Sequence, residues 1–150
     1  LHHLENDSSI SSEFIYRRRW NQQHKYQSDA QQKKIEFINN IKQHPYTLCV
    51  RGVGNFSVRF YETLALGRIP VFINTDCVLP WDQDIDWSKH VVWVEHRDLK
   101  KLPQILKDFH HEIHPDDFKK MQVNNRELWK SRLSSKGYYR TLIKKVIDQL

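Results

Sequence analysis

The sequence is poor in the residues that would make it a membrane span, a disulfide scaffold or a fibre. Its 150 residues include four glycines, five prolines, two cysteines and one methionine. No apolar run approaches the ~18 residues a spanning helix needs, and no basic stretch followed by an apolar one marks a secretory leader. Cys49 and Cys77 are too few for a disulfide framework and show no Cys-x-x-Cys metal spacing. One lies in an apolar run and the other beside it, so free, buried thiols are the first expectation and a disulfide between the two is the alternative. There is no internal repeat and no low-complexity linker. The chain starts at Leu1 and its one methionine is Met121, so it is expected to be a piece of a longer protein.

What is present is the composition of one wet globular domain. Apolar residues make up 39% and charged residues 28%, enough of the first for a core and too few of the second for a disordered chain. The net charge of +6 favours polyanionic partners such as nucleotide diphosphates, acidic glycans, nucleic acid or anionic lipid, without choosing among them.

Along the chain, residues 1–12 read as a polar loop and Glu13–Trp20 (EFIYRRRW) as a short strand. A helix is signalled from Ser28 or Asp29, with Ile35, Ile38 and Ile41 near helical spacing and Pro45 just beyond its end. Residues 46–50 (YTLCV) are a continuous apolar run, as in a strand covered on both faces. A glycine turn (51–55), a helix over 56–67 closed by Gly67, and a second buried strand over 68–74 follow. That order is a βαβ unit and implies a parallel sheet. Residues 90–95 read as a third strand, and helices are expected from about Asp98, over 114–133 and over 137–150. The expected organisation is one domain spanning 1–150: a loop (1–12), an α/β core (13–112) and a helical tail (113–150).

The loop Arg51–Asn55 leaves the carboxyl end of a buried strand and enters a helix, the edge where open α/β sheets bind ligands. Gly52 and Gly54 let backbone N–H groups approach an anion, and the first helical turn adds unsatisfied donors and a partial positive charge. Arg51 can add a bidentate contact to phosphate. Ser57 can cap the helix or donate to a phosphate. Arg59 and Glu62, three residues apart, share a helix face, where a carboxylate can accept hydroxyls of a ribose or hexose. Spacing alone fits a solvated Arg–Glu pair on a helix surface equally well.

The stretch Cys49–Trp87 resembles the signature of the exostosin family of glycosyltransferases. It contains an Arg-Gly loop (Arg51, Gly52), a Ser-x-Arg-Phe-x-Glu helix (Ser57 to Glu62) and a Gly-x-Ile-Pro-Val strand (Gly67 to Val71). A Leu-Pro-aromatic turn (Leu79 to Trp81) and an Asp-Trp pair (Asp86, Trp87) follow. The resemblance implies a Rossmann-like parallel sheet flanked by helices, the carboxyl-terminal half of a GT-B fold. It further implies inverting transfer from a nucleoside diphosphate sugar, a UDP-sugar first, to a glycan or glycoconjugate acceptor. The donor would be held by Arg51, Gly52, Gly54, Asn55, Ser57, Arg59 and Glu62, with Glu62 on the ribose. Trp81 stands where the family commonly has Phe and is a candidate wall of the donor site. The catalytic base and acceptor contacts would come from an amino-terminal GT-B domain outside this chain, and neither metal nor other cofactor is expected. Such enzymes work in the Golgi lumen in animals and plants, whereas a bacterial relative would be cytoplasmic. The rival reading is a non-catalytic module of the same family that pairs with an active transferase or binds acidic polymers.

Other candidates read more plainly. Asp82, Asp84 and Asp86 alternate but lack the glycine and distal glutamate of a calcium loop, so they are expected as a polar turn. His110 and His114 have helical spacing for zinc, but Pro115 argues that the helix breaks between them. Arg17, Arg18 and Arg19 with Trp20, Lys25 and Tyr26 could form a nucleic-acid patch, although no recognised motif accompanies them.

Overall fold

A computed structural model describes residues 2–16 and 27–149. The order of elements is α1 (His2–Glu5), α2 (Gln27–Gln43), β1 (Tyr46–Cys49), α3 (Val58–Ala65), β2 (Ile69–Asn74), β3 (Val92–Glu95), α4 (Leu102–Glu112), α5 (Pro115–Leu128) and α6 (Ser135–Ile147). Short 3₁₀ turns at Trp87–Lys89 and His96–Lys101 precede β3 and α4, and a π turn at Trp129–Leu133 joins α5 to α6.

The three strands form one parallel sheet in the order β1-β2-β3. Leu48 pairs with Val71 and Cys49 with Phe72; Val71 pairs with Val92 and Ile73 with Val94. β2 is the middle strand, and five of its six residues are buried, which is why IPVFI is apolar without alternation. Its side chains nevertheless go to two cores. Ile69, Val71 and Ile73 join Val92, Val94, Leu4, Leu102 and Met121 on the face covered by α1, α4 and α5. Phe72 joins Cys49, Phe60, Leu64, Trp87 and Val91 on the α3 face. The chain is therefore a Rossmann-like α/β domain with helices on both faces of a parallel sheet.

Local chemistry explains the turns. α3 ends where Gly67 takes φ +63, a left-handed conformation suited to glycine. α5 begins at Pro115, and the His114 side chain accepts from the amide of Asp116 to cap it. α5 lies near the amino ends of β2 and β3, away from the ligand edge. There the fully buried Asn125 donates to the carbonyls of Arg68 (3.1 Å) and His90 (2.9 Å), while its Oδ1 meets His90 Nδ1 at 2.8 Å.

Three sequence expectations are corrected. Residues 1–12 are not all loop, because His2–Glu5 turn into α1, where Leu4 is buried against the sheet. Glu13–Tyr16 form no strand: Phe14 reaches the core from irregular backbone, so its apolar content served packing rather than pairing. Arg17–Trp20, Lys25 and Tyr26 lie outside the described residues. The helix expected over 114–133 stops being α-helical at Leu128 and loosens into the π turn.

Candidate functional site

The loop between β1 and α3 closes on itself through Gly52, whose N–H donates to the Phe56 carbonyl at 2.9 Å. That amide is therefore engaged within the turn, whereas the N–H groups of Val53, Gly54 and Asn55 have no acceptor among the described residues. A Cβ on Gly54 would stand 2.8 Å from the Phe56 ring, so the missing side chain lets this exposed aromatic fold over the loop. Arg51 is exposed, and its guanidinium has no partner among the described residues. Ser57 occupies the cap position of α3 with extended backbone, yet its hydroxyl makes no capping bond, although the residue is only 7% exposed. Of the two roles open to Ser57, the capping one is not used.

Asn55 is placed differently from a free ligand contact. Its Nδ2 donates to the carbonyls of Thr75 (2.9 Å) and Asp76 (3.2 Å), and its Oδ1 accepts from Thr75 Oγ1 (2.6 Å). The side chain thus ties the β1 loop to the loop that leaves β2, where Asp76 has φ +57. Thr75 and Asp76 are the residues that sequence reasoning missed. They lie 20 and 21 residues from Asn55, and no local periodicity announces such a pairing.

One turn into α3, Arg59 and Glu62 share a face but make no ion pair. The Arg59 guanidinium lies 5.2 Å from the centre of the Phe37 ring on α2, a cation–π contact that turns it toward the neighbouring helix. Glu62 is half-buried, and no hydrogen bond reaches its carboxylate among the described residues. Burial pushes its pKa above the ordinary value of 4.5, and the nearby Arg59 charge opposes that rise. A partly desolvated carboxylate without donors is suited to accepting hydroxyl groups. Beneath it Cys49 is fully buried, and desolvation pushes its thiol up to about 12.

Trp81 is engaged by the tail. Its ring packs 5.1 Å from that of Tyr138, its indole N–H donates to the Arg132 carbonyl at 3.3 Å, and Lys145 lies 5.5 Å from the ring centre. Next to it, Lys145 meets Asp84 at 2.5 Å. The Leu-Pro-Trp turn is thus a dock for α6, and no observation brings Trp81 to the β1 loop. Cys49 and Cys77 are free thiols, and Cys77 is only half-buried. His110 bonds the Tyr46 hydroxyl at 2.9 Å, and α4 ends at Glu112, before His114. Among the described residues no group of His, Cys, Asp or Glu could hold a metal ion, and no helix is long and apolar enough to cross a membrane.

The site's sequence has known relatives. Over 112 residues, 71% of this chain, it is 30% identical to an Exostosin-1 homolog of Caenorhabditis elegans, of which those residues make up 29%. It is 31% identical over 74 residues to Exostosin-1 of Drosophila melanogaster, covering 49% of this chain and 10% of that one. It is 36% identical over 70 residues to a probable glucuronosyltransferase of Oryza sativa subsp. japonica, covering 47% of this chain and 17% of that protein. The chain therefore spans under a third of the length of each of these relatives. The family model for the Exostosin GT47 domain matches residues 3–109, from α1 through the β1 loop and α3 into α4, and with that match the chain belongs to the exostosin GT47 family.

Proposed function

We propose that this chain is the donor-binding part of an inverting glycosyltransferase that uses a UDP-sugar and delivers the sugar to a glycan or glycoconjugate. One observation carries the reading: beside a turn in which the Gly52 amide and the Asn55 side chain are engaged, the side chains of Arg51, Ser57 and Glu62 have no hydrogen-bond partner among the described residues. All three flank the carboxyl end of β1 and the start of α3, where ligands of open α/β sheets bind. Family membership supports transferase chemistry, and the name of the Oryza sativa relative makes glucuronic acid the first sugar to test.

In this reading the diphosphate lies over the amino end of α3. The Val53–Asn55 amides, the Ser57 hydroxyl and the helix dipole receive its charge. Arg51 closes on it with a charge-assisted contact. Glu62 accepts the ribose hydroxyls, and Arg59, held over Phe37, keeps positive potential beside that carboxylate. During inverting transfer the leaving UDP gains negative charge, and fixed donors aimed at it stabilise that charge without a metal. The Asn55 side chain acts by holding the loop, as its Nδ2 donates to the Thr75 and Asp76 carbonyls. The base that deprotonates the acceptor belongs to the remainder of the enzyme.

The test is titration of the chain with UDP, GDP, CMP and UDP-glucuronic acid by ligand-observed NMR, repeated with Arg51→Ala and Glu62→Ala. UDP is expected to bind selectively. Arg51→Ala should weaken it by about tenfold or more, since a hydrogen bond to a charged group contributes about 1.5–3 kcal/mol. Absence of nucleotide binding by both this chain and the full-length protein would sink the proposal.

A further inference from the structure

A cleft of about 620 Å³ opens at the carboxyl ends of β2 and β3, and none of Arg51, Ser57 or Glu62 lines it. Asp76 is part of its wall, and the Asp76 carbonyl is one of the two that the Asn55 side chain holds. Its most informative residue is Trp93 on β3. The indole N–H donates to Glu95 at 2.8 Å, Glu95 in turn accepts from Asn74 (3.1 Å), and the ring meets the edge of Phe72 at 5.0 Å. These contacts fix the ring on a rigid strand, yet 38% of the residue stays exposed. A large, partly exposed indole fixed at a cleft wall is a platform for an apolar surface.

The polar groups around it define what that surface belongs to. Asp76 and Asp82 line the cleft, and their carboxylates have no partner among the described residues. Asp86 lines it as well and is already bonded by Ser88 (2.6 Å) and Lys89 (3.0 Å). Carboxylates accept hydrogen bonds and repel anions, so a phosphate or uronate is disfavoured, while hydroxyl groups are welcome. No combination of these groups could hold a metal ion. A ligand with one apolar C–H face and a rim of hydroxyls fits both demands, and an uncharged pyranose is such a ligand.

We propose that this cleft binds a neutral pyranosyl unit of a glycan, stacked on Trp93 with its hydroxyls donating to Asp76 and Asp82. The binding stands by itself; its role as an acceptor subsite beside the donor rests on the transferase reading. It would give the carboxyl-terminal domain a share in acceptor recognition, and would favour an uncharged residue at that position of the acceptor.

The test uses chitotetraose and cellotetraose as neutral probes, titrated against the chain by ligand-observed NMR, with UDP in a separate arm. Saturable binding in the millimolar range is expected, weakened on the order of tenfold by Trp93→Ala. No saturable binding of either probe up to about 20 mM, a concentration that reaches very weak affinities, overturns the proposal. So does unchanged affinity in a Trp93→Ala protein with native circular dichroism. If Trp93→Ala loses its fold, the exposed Asp82→Asn decides: weaker binding supports the cleft, and unchanged binding overturns it. Failure of UDP to bind counts against the donor site and leaves the result for this cleft standing.

Discussion

Gly137, in the first turn of α6, passes so close to the π turn that a Cβ placed on it would lie 2.6 Å from both the carbonyl carbon and the oxygen of Ser131. Both of those atoms are backbone, so they cannot swing aside as a side chain would. Gly137→Ala is expected to cost about 1–3 kcal/mol, the range for forcing a methyl group into packed structure. The damage should be greatest around α6. Thermal unfolding measures the loss, and weaker burial of Trp81, which α6 covers through Tyr138, should appear in tryptophan fluorescence. An unchanged melting temperature would contradict the contact.

Asn125 predicts a second loss at the opposite edge of the sheet. Its amide serves two carbonyls and one histidine nitrogen in a place with no exposure. Asn125→Ala leaves those groups unpaired, at about 1–3 kcal/mol for a buried orphan. The β1 loop lies at the other end of the strands, so nucleotide affinity at low temperature should stay within about twofold of the parent, as expected for distant, uncoupled sites. A nucleotide-binding defect equal to the stability defect would show that the two edges are coupled.

These two residues also mark what could be read from the sequence and what could not. Strand, glycine loop, helix and strand over 46–74 announce themselves locally: the apolar runs, Gly52 and Gly67 punctuate each boundary, so β1, α3 and β2 came out within a few residues. The placement of Arg51 just past β1 and of Glu62 within α3 was legible for the same reason, since each sits at a fixed offset from those boundaries. Asn125–His90, Asn55–Thr75 and Trp81–Tyr138 were not legible. Each joins residues 20 to 57 apart, and nothing in the period of either segment encodes the partner. Glu13–Tyr16 misled for a related reason. Apolar and aromatic residues look alike whether they pair in a sheet or, like Phe14, plug a core from irregular backbone.

The two thiols should separate by reactivity. Burial pushes Cys49 up to about 12, and desolvation also raises Cys77, which is only half-buried. The nucleophile is the thiolate, so a mildly alkaline aromatic disulfide reagent should titrate Cys77 slowly and leave Cys49 untouched until the fold is lost. Cys77→Ser should then show no accessible thiol under native conditions, and one after denaturation. Rapid reaction of that variant in its native state would place Cys49 nearer the surface than the packing of Phe60 and Leu64 allows.

In the proposed donor site, Glu62 ties stability and binding to pH with opposite signs. Burial raises its folded-state pKa above the ordinary 4.5, so the folded protein takes up a proton more readily than the unfolded chain. Its contribution to stability is therefore fully present below the unfolded value and is lost as pH rises through the folded one. Glu62→Gln should accordingly raise the melting temperature slightly at neutral pH and lose that advantage in acid. The proposed ribose contact uses the other state, because the carboxylate accepts from two hydroxyls without donating. UDP affinity should thus fall on acidification before the pH reaches 4.5, and Glu62→Gln should bind more weakly with a flattened pH profile. A variant that melts higher but binds less well identifies a charge that the fold does not need. If Glu62→Gln instead melts lower and binds UDP as well as the parent at every pH, the carboxylate serves packing, and the ribose contact must be sought elsewhere on the β1 edge.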